Sequence, residues 1–166
     1  MSGRTGSQGQ VTVRRMGLDD LDLLVEWRET VIREVFEVPE GTDLSAIMRE
    51  NRTYYEEALA AGTHVAGLAC LDGRAVGCGG ICLQREMPSP ENPSGRNAYL
   101  MNVYTTPAER GHGVARAMVA WLVGQARASG AEKVFLEATP VGRPVYEGAG
   151  FRDLPDMMAL PREAGR

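Results

Sequence analysis

Residues 99–104, Tyr99-Leu100-Met101-Asn102-Val103-Tyr104, lead to Arg110-Gly111-His112-Gly113-Val114-Ala115, and an apolar helical run continues to Ala128. A β-like stretch, a glycine-bearing turn and a helix N-terminus, in that order, make an anion-binding site. The turn aims backbone N–H groups at one point, and the helix dipole adds partial positive charge there. Gly111 and Gly113 permit positive φ and let a ligand approach the backbone closely. The expected ligand is a phosphate or pyrophosphate. No Gly-Lys-Ser/Thr follows the turn, which excludes a P-loop, and the third glycine of a dinucleotide fingerprint is missing. Taken alone, the Gly-x-Gly turn also fits an ordinary tight turn that opens a helix.

A second motif follows: Ala138-Thr139-Pro140-Val141-Gly142-Arg143-Pro144-Val145-Tyr146-Glu147-Gly148-Ala149-Gly150-Phe151. The pair resembles the GNAT superfamily of N-acetyltransferases. The acetyl-CoA signature of that superfamily is Q/R-x-x-G-x-G/A after a strand, followed by Y-x-x-x-G-F at the close of a short helix. Here these read Arg110-x-x-Gly113-x-Ala115 and Tyr146-x-x-x-Gly150-Phe151. The resemblance covers most of residues 11–161. It implies a single GNAT-like α/β (α+β) domain over 11–166, with a mixed, mostly antiparallel central sheet flanked by helices. It also implies acetyl-CoA as the acyl donor.

The composition agrees with one globular domain. Of 166 residues, 43% are hydrophobic and 24% charged, and the net charge of −4 does not suggest a nucleic-acid surface. No apolar stretch is long enough to span a membrane, and residues 1–10, rich in Gly, Ser and Gln, read as a disordered tail without a signal-peptide core. Cys70, Cys78 and Cys82 lie in apolar, strand-like segments. Their odd number and the lack of Cys/His ligand spacing read as buried free thiols in a reducing cytoplasm, with no metal site. Residues 19–57 hold twelve acids and four arginines, so they carry −8 and the remainder +4. Most of these acids read as solvated helix faces; the positive remainder suits an anionic cofactor.

Residues 11–16 alternate like a strand. Asp19 or Asp20 is expected to cap a helix to about residue 36, with Leu21, Leu24, Val25, Ile32 and Val35 as its apolar face. A second helix is expected over 44–61, with a break near Glu50, stopped by Gly62. Residues 63–71 and 75–83 read as strands joined by an Asp72-Gly73 hairpin turn. The proline-rich loop 88–95, a strand over 97–104, the glycine turn and a helix to Ser129 follow. A fifth strand over 133–138, a short helix over 142–149 and one or two short strands within 151–160 complete the expectation.

The resemblance places the CoA pyrophosphate on the amides of Arg110, Gly111, His112, Gly113, Val114 and Ala115. It places backbone groups of Val103, Tyr104 and Thr105 along the pantetheine arm, as a strand is added to a sheet edge. One of those amides polarises the thioester carbonyl. His112, between two glycines, reads as solvent-facing, with a phosphate contact as the alternative; His64 reads as structural. Tyr146, which the resemblance puts beside the CoA sulfur, is the candidate general acid, because a phenol near pKa 10 can protonate a departing thiolate.

The base is less legible. Residues 97–104 hold no acid, so Glu137 is a weak candidate, Glu86 a weaker one, and Asn102 a residue that could position a water. The acids around Glu34, Glu37, Glu40 and Asp43, with Tyr54, Tyr55 and the prolines of 88–93, are expected to border the acceptor. The implied function is direct acetyl transfer from acetyl-CoA to a primary amine, either a small, cationic amine or a peptide amine, in a ternary complex without an activated nucleophile. Homodimers are common in the superfamily. The alternative from another class is a non-catalytic acyl-CoA-binding sensor or interaction module with the same fold.

Overall fold

The computed structural model describes residues 9–162, so most of the expected N-terminal tail lies outside the described residues. In chain order the elements are β1 (Val11–Met16), α1 (Leu21–Val35), α2 (Ser45–Ala60), β2 (His64–Leu71), β3 (Arg74–Arg85), β4 (Arg96–Thr105), α3 (Val114–Ala128), β5 (Lys133–Leu136) and α4 (Arg143–Gly148). The five strands form one sheet in the order β1-β2-β3-β4-β5. The first four are antiparallel, and β4 and β5 run parallel, joined through α3. The mixed α/β sheet expected from the sequence is therefore the one observed.

The two faces of the sheet carry different layers. On one face α3 packs Val114, Met118, Val119, Leu122 and Ala126 against Val65, Ile81, Ala98 and Leu100. On the other, α1 and α2 pack Leu24 and Tyr55 on Met16, Ala66 and Leu68. Being covered on both faces, β2 is buried almost throughout, which explains why it reads as an apolar run and not as an alternation. The β2–β3 hairpin turns at Asp72 (φ 49°) and Gly73 (φ 78°), the left-handed pair that an Asp-Gly turn supplies.

Three glycines let α3 and the neighbouring strands close up. A Cβ at Gly67 would stand 2.7 Å from the Trp121 ring, one at Gly79 2.8 Å from Met118, and one at Gly77 2.5 Å from the backbone oxygen of Tyr104. Only the last neighbour is backbone, which cannot rotate away. Gly77→Ala is therefore expected to destabilise the fold by about 1–3 kcal/mol, the usual cost of overpacking. Gly124→Ala, where the helical Cβ meets nothing within 4 Å, is expected to stabilise by about 0.5–1 kcal/mol through helix propensity. Urea unfolding midpoints at constant m-value check both.

Several expectations are corrected. α2 runs unbroken through Glu50. Val35 is 49% exposed, and Val31, at 3%, holds the buried position instead. Residues 151–160 form no strand: Pro155 interrupts the stretch and lacks a donor for a ladder. Met158 and Leu160, both 96% exposed, face solvent, and the sheet ends at β5.

Candidate active site

The site begins with an irregularity in β4. Cys78 of β3 pairs with Tyr104 and Gly80 with Met101, so Gly79 alone stands opposite both Asn102 and Val103. This is a β-bulge, and Asn102 takes φ 58°, a left-handed conformation that asparagine tolerates better than most residues. The bulge coincides with a parting of strands. β5 pairs with β4 only from Asn97↔Lys133 to Leu100↔Leu136, while β4 continues to Thr105. On the side away from β3, residues 101–105 thus present a sheet edge with no strand beside it among the described residues. An extended ligand can hydrogen-bond to such an edge, and Val103, Tyr104 and Thr105 all lie on it.

The glycine turn stands at the C-terminal end of that edge. Gly111 and Gly113 have φ 83° and 82°, and a Cβ on either would meet nothing within 4 Å, so the approach to the turn is open. Gly113 is the N-cap of α3, no side chain caps this end, and no acid sits in the first turn. The first-turn amides of α3 have no partner within the helix, and the dipole favours an anion at that end. Among the described residues the Thr105 hydroxyl, on the last residue of β4, is buried without a hydrogen-bond partner. An uncapped, glycine-opened helix end fits a phosphate group, and the parted strand edge that leads to it fits an extended arm.

Arg110 does not point its side chain freely at this turn. Its guanidinium pairs with Glu34 from the last turn of α1, donates through Nε to the Thr105 carbonyl at 3.1 Å, and lies 5.8 Å from the centre of the Tyr104 ring. The Tyr104 hydroxyl donates to the other Glu34 oxygen at 2.5 Å. These bonds, that from Tyr104 first, hold the Glu34 carboxyl below its usual range. Burial, then the Glu34 bond, pushes the Tyr104 phenol up to about 12. Glu34, expected at the acceptor, is thus ion-paired with Arg110, hydrogen-bonded by Tyr104, and ties α1 to the turn. His112 is exposed, with Nδ1 3.7 Å from Glu109 Oε2.

Tyr146 ends α4 through a Schellman motif. The Phe151 amide donates to the Tyr146 carbonyl and the Gly150 amide to the Glu147 carbonyl, both at 3.0 Å, with Gly150 at φ 98°. The Phe151 ring packs edge-on against Tyr146, centroids 6.1 Å apart. This is the physical content of the Tyr-x-x-x-Gly-Phe spacing. Burial raises the Tyr146 phenol, which keeps it protonated. A cleft of about 650 Å³ along the outer side of β5 brings Tyr146 together with Glu137, Tyr99 and Phe135, while Asn102 and the glycine turn stand outside it.

Two candidates for the acceptor side are displaced. Glu86 accepts hydrogen bonds from Asn92 (3.0 Å), Asn97 (2.8 Å) and Lys133 (3.2 Å), at the N-terminal end of β4. The 88–95 loop is tied to the same end, with Ser94 bonded to Glu132. Both lie at the opposite end of the strand from the glycine turn, and neither borders the bulge.

The α1/α2 face beside the bulge holds a group that the apolar pattern of α1 conceals. Arg28 donates through Nη1 to Asn102 Oδ1 at 2.9 Å and through Nε to Asn51 Oδ1 at 3.0 Å. Asn102, the expected water-positioning residue, is thereby engaged. Below it, Tyr54 Oη lies 2.9 Å from Nδ1 of His64, which is 3% exposed. Tyr55 is buried in the core, and Tyr54 keeps 37% exposure. Burial pushes the His64 imidazole down to about 4. The unfolded chain therefore takes up this proton near pH 6.5 and the folded chain only near pH 4. Stability from neutral His64 is present above pH 6.5 and is lost as pH falls to 4. In His64→Asn, whose amide can reach Tyr54, that part of the acid destabilisation is expected to vanish, as read from urea midpoints between pH 7 and 4.

Among the described residues no helix is long and apolar enough to cross a membrane, and no cluster of three or more His, Cys, Asp or Glu is placed to hold a metal. No curated protein sequence matches the chain significantly. Solved structures do. A predicted acetyltransferase from Clostridium acetobutylicum, determined with acetyl-CoA, is 28% identical with a TM-score of 0.78, over 92% of this chain and 96% of that one. A GCN5-related N-acetyltransferase from Ralstonia eutropha JMP134 is 25% identical, TM-score 0.76, over 92% and 99%. An aminoglycoside N-acetyltransferase in complex with CoA shares the fold at 17% identity, TM-score 0.71, over 99% and 100%. The sequence model of the Acetyltransferase (GNAT) family matches residues 26–151, from α1 through the bulge and the glycine turn to Phe151, and the chain belongs to that family.

Proposed function

We propose that this protein transfers an acetyl group from acetyl-CoA to a primary amine, directly and within a ternary complex. The observation that carries the reading is the conjunction of the parted β4 edge with the uncapped, glycine-opened N-terminus of α3. The amides of residues 110–115 would hold the pyrophosphate. The open edge at Val103, Tyr104 and Thr105 would pair with the pantetheine arm. Acetyl-CoA, when bound, supplies the activated acetyl group and a thiolate leaving group.

The remaining chemistry belongs to the chain. An amide of the unpaired edge at the bulge would polarise the carbonyl. The Tyr146 hydroxyl, kept protonated by burial, delivers the proton to the departing sulfur. Glu137, exposed in the cleft that also holds Tyr146, is kept as the candidate base. Three unpaired cysteines, Cys78 buried and the other two half-buried, fit a reducing cytoplasm.

Initial-rate kinetics test direct transfer. Varying acetyl-CoA at several fixed amine concentrations is expected to give intersecting double-reciprocal lines and no acetylated protein by mass spectrometry. Parallel lines with a covalent acetyl adduct would replace this mechanism by a ping-pong one.

A further inference from the structure

The acceptor side of the bulge contains a cation that no carboxylate balances. Arg28 occupies the apolar stripe of α1, one helical step from Leu24 on one side and from Val31 and Ile32 on the other, and all three of those neighbours are buried. Asn51 occupies the corresponding stripe of α2, between buried Met48 and Tyr55. Two polar residues on inward-facing stripes meet each other and the bulge: Arg28 binds Asn51 Oδ1 and Asn102 Oδ1. Both partners are neutral amides.

Three of the four acids of α1 are engaged elsewhere. Glu29 pairs with Arg33 at 2.7 Å, Asp22 pairs with Arg52, and Glu34 pairs with Arg110. Among the described residues no salt bridge involves Arg28. A half-buried guanidinium without a counter-charge is costly, and among the described residues two amide oxygens leave Nη2 of its five-donor fork without a partner. Burial pushes the Tyr55 phenol and the Cys78 thiol each up to about 12, and the charge of Arg28 opposes both shifts.

We propose that Arg28 binds an anionic group on the acceptor, so that the amine acetylated belongs to a molecule carrying a carboxylate or phosphate close to the amino group. This rests on the transferase reading and narrows its substrate class. The guanidinium fork matches a carboxylate or phosphate in a bidentate manner. Because Arg28 is bonded to Asn102, the residue before Val103, an anion held there sets the adjoining amine beside the bulge. A cationic acceptor such as a polyamine would meet Arg28 with like charge, and Glu34, one of the acids expected to attract it, is already paired with Arg110.

The test compares matched amines with saturating acetyl-CoA. Amino acids are set against their carboxamides and their decarboxylated amines, and amino-sugar phosphates against the free amino sugars; the two series distinguish carboxylate from phosphate. The anionic member of a pair is expected to have a kcat/KM higher by about tenfold to a hundredfold, as one charge-assisted bidentate contact provides. In Arg28→Gln that preference is expected to disappear while acetyl-CoA affinity and the melting temperature hold. Arg28→Lys, which keeps the charge and loses the fork, is expected to retain part of it. Equal or better turnover of the neutral or polycationic amines, or a preference that survives Arg28→Gln, would overturn the inference. If no amine is turned over, the transferase reading fails separately, and calorimetry of the same pairs on CoA-saturated protein decides the inference: selective binding of the anionic members, lost in Arg28→Gln, upholds it, and equal or absent binding overturns it.

Discussion

Tyr146→Phe is expected to lower kcat by about a hundredfold or more, within the range that one positioned proton donor contributes, while leaving the KM for acetyl-CoA within about twofold of wild type, as expected of an interaction made only in the transition state. The substitution removes a single oxygen. The ring keeps its edge-on contact with Phe151, and the Schellman bonds that end α4 are made by backbone. Among the described residues the hydroxyl has no protein hydrogen-bond partner to lose, so folding should be unaffected. Burial raises the phenol above its ordinary value. A proton donor with such a pKa stays loaded through neutral pH, and the alkaline fall of kcat is expected above about pH 10, the ordinary phenol value. That limb should vanish in the variant. A loss of only a few-fold, or an alkaline limb that persists, would remove Tyr146 from the chemistry and leave it a packing residue.

The second large effect concerns the glycine turn. Gly113→Val places a β-branched residue at φ 82° at the N-cap of α3, where such side chains are strongly disfavoured. Its Cβ would collide with nothing in the protein, so the damage comes from backbone strain and from a side chain in the path of the ligand. Removing two charge-assisted amide hydrogen bonds to the phosphate weakens acetyl-CoA affinity by about a hundredfold or more. Strain at one left-handed position costs about 1–3 kcal/mol, which lowers the melting temperature modestly. Gly113→Ala is expected to fall between. Calorimetric titration with acetyl-CoA and thermal melts separate the two contributions. Unchanged affinity with a lowered melting temperature would make the turn a structural cap and not a phosphate cradle.

The sheet and its helices are legible in the sequence because each has a local cause. Asp72-Gly73 names its turn, Gly62 ends α2, and the strand-turn-helix around Gly113 has few alternatives. The 151–160 segment misleads because its apolar residues look strand-like in isolation, whereas pairing depends on a donor that Pro155 lacks. The bulge at Asn102 has no local signal: nothing nearby announces that Gly79 will stand against two residues. Glu34 reads as an acceptor-side acid from its acidic neighbourhood. Its actual partners, Tyr104 and Arg110, lie 70 and 76 positions away, and such a pairing has no periodic signature. Arg28 does leave a signal, a charged residue on the inward stripe of α1. An apolar-face reading that counts only the hydrophobic positions steps over it.

Acetyl-CoA turnover, read as thiol released together with acetylated amine formed, tests catalysis most directly, across amino acids, amino-sugar phosphates, polyamines, aminoglycosides and short peptides. The predicted result is amine-dependent release, one thiol for each amide bond made, and a sharp fall in Tyr146→Phe. Tight acetyl-CoA binding with no amine-dependent release would contradict catalysis and turn the parted β4 edge into the ligand site of an acyl-CoA sensor.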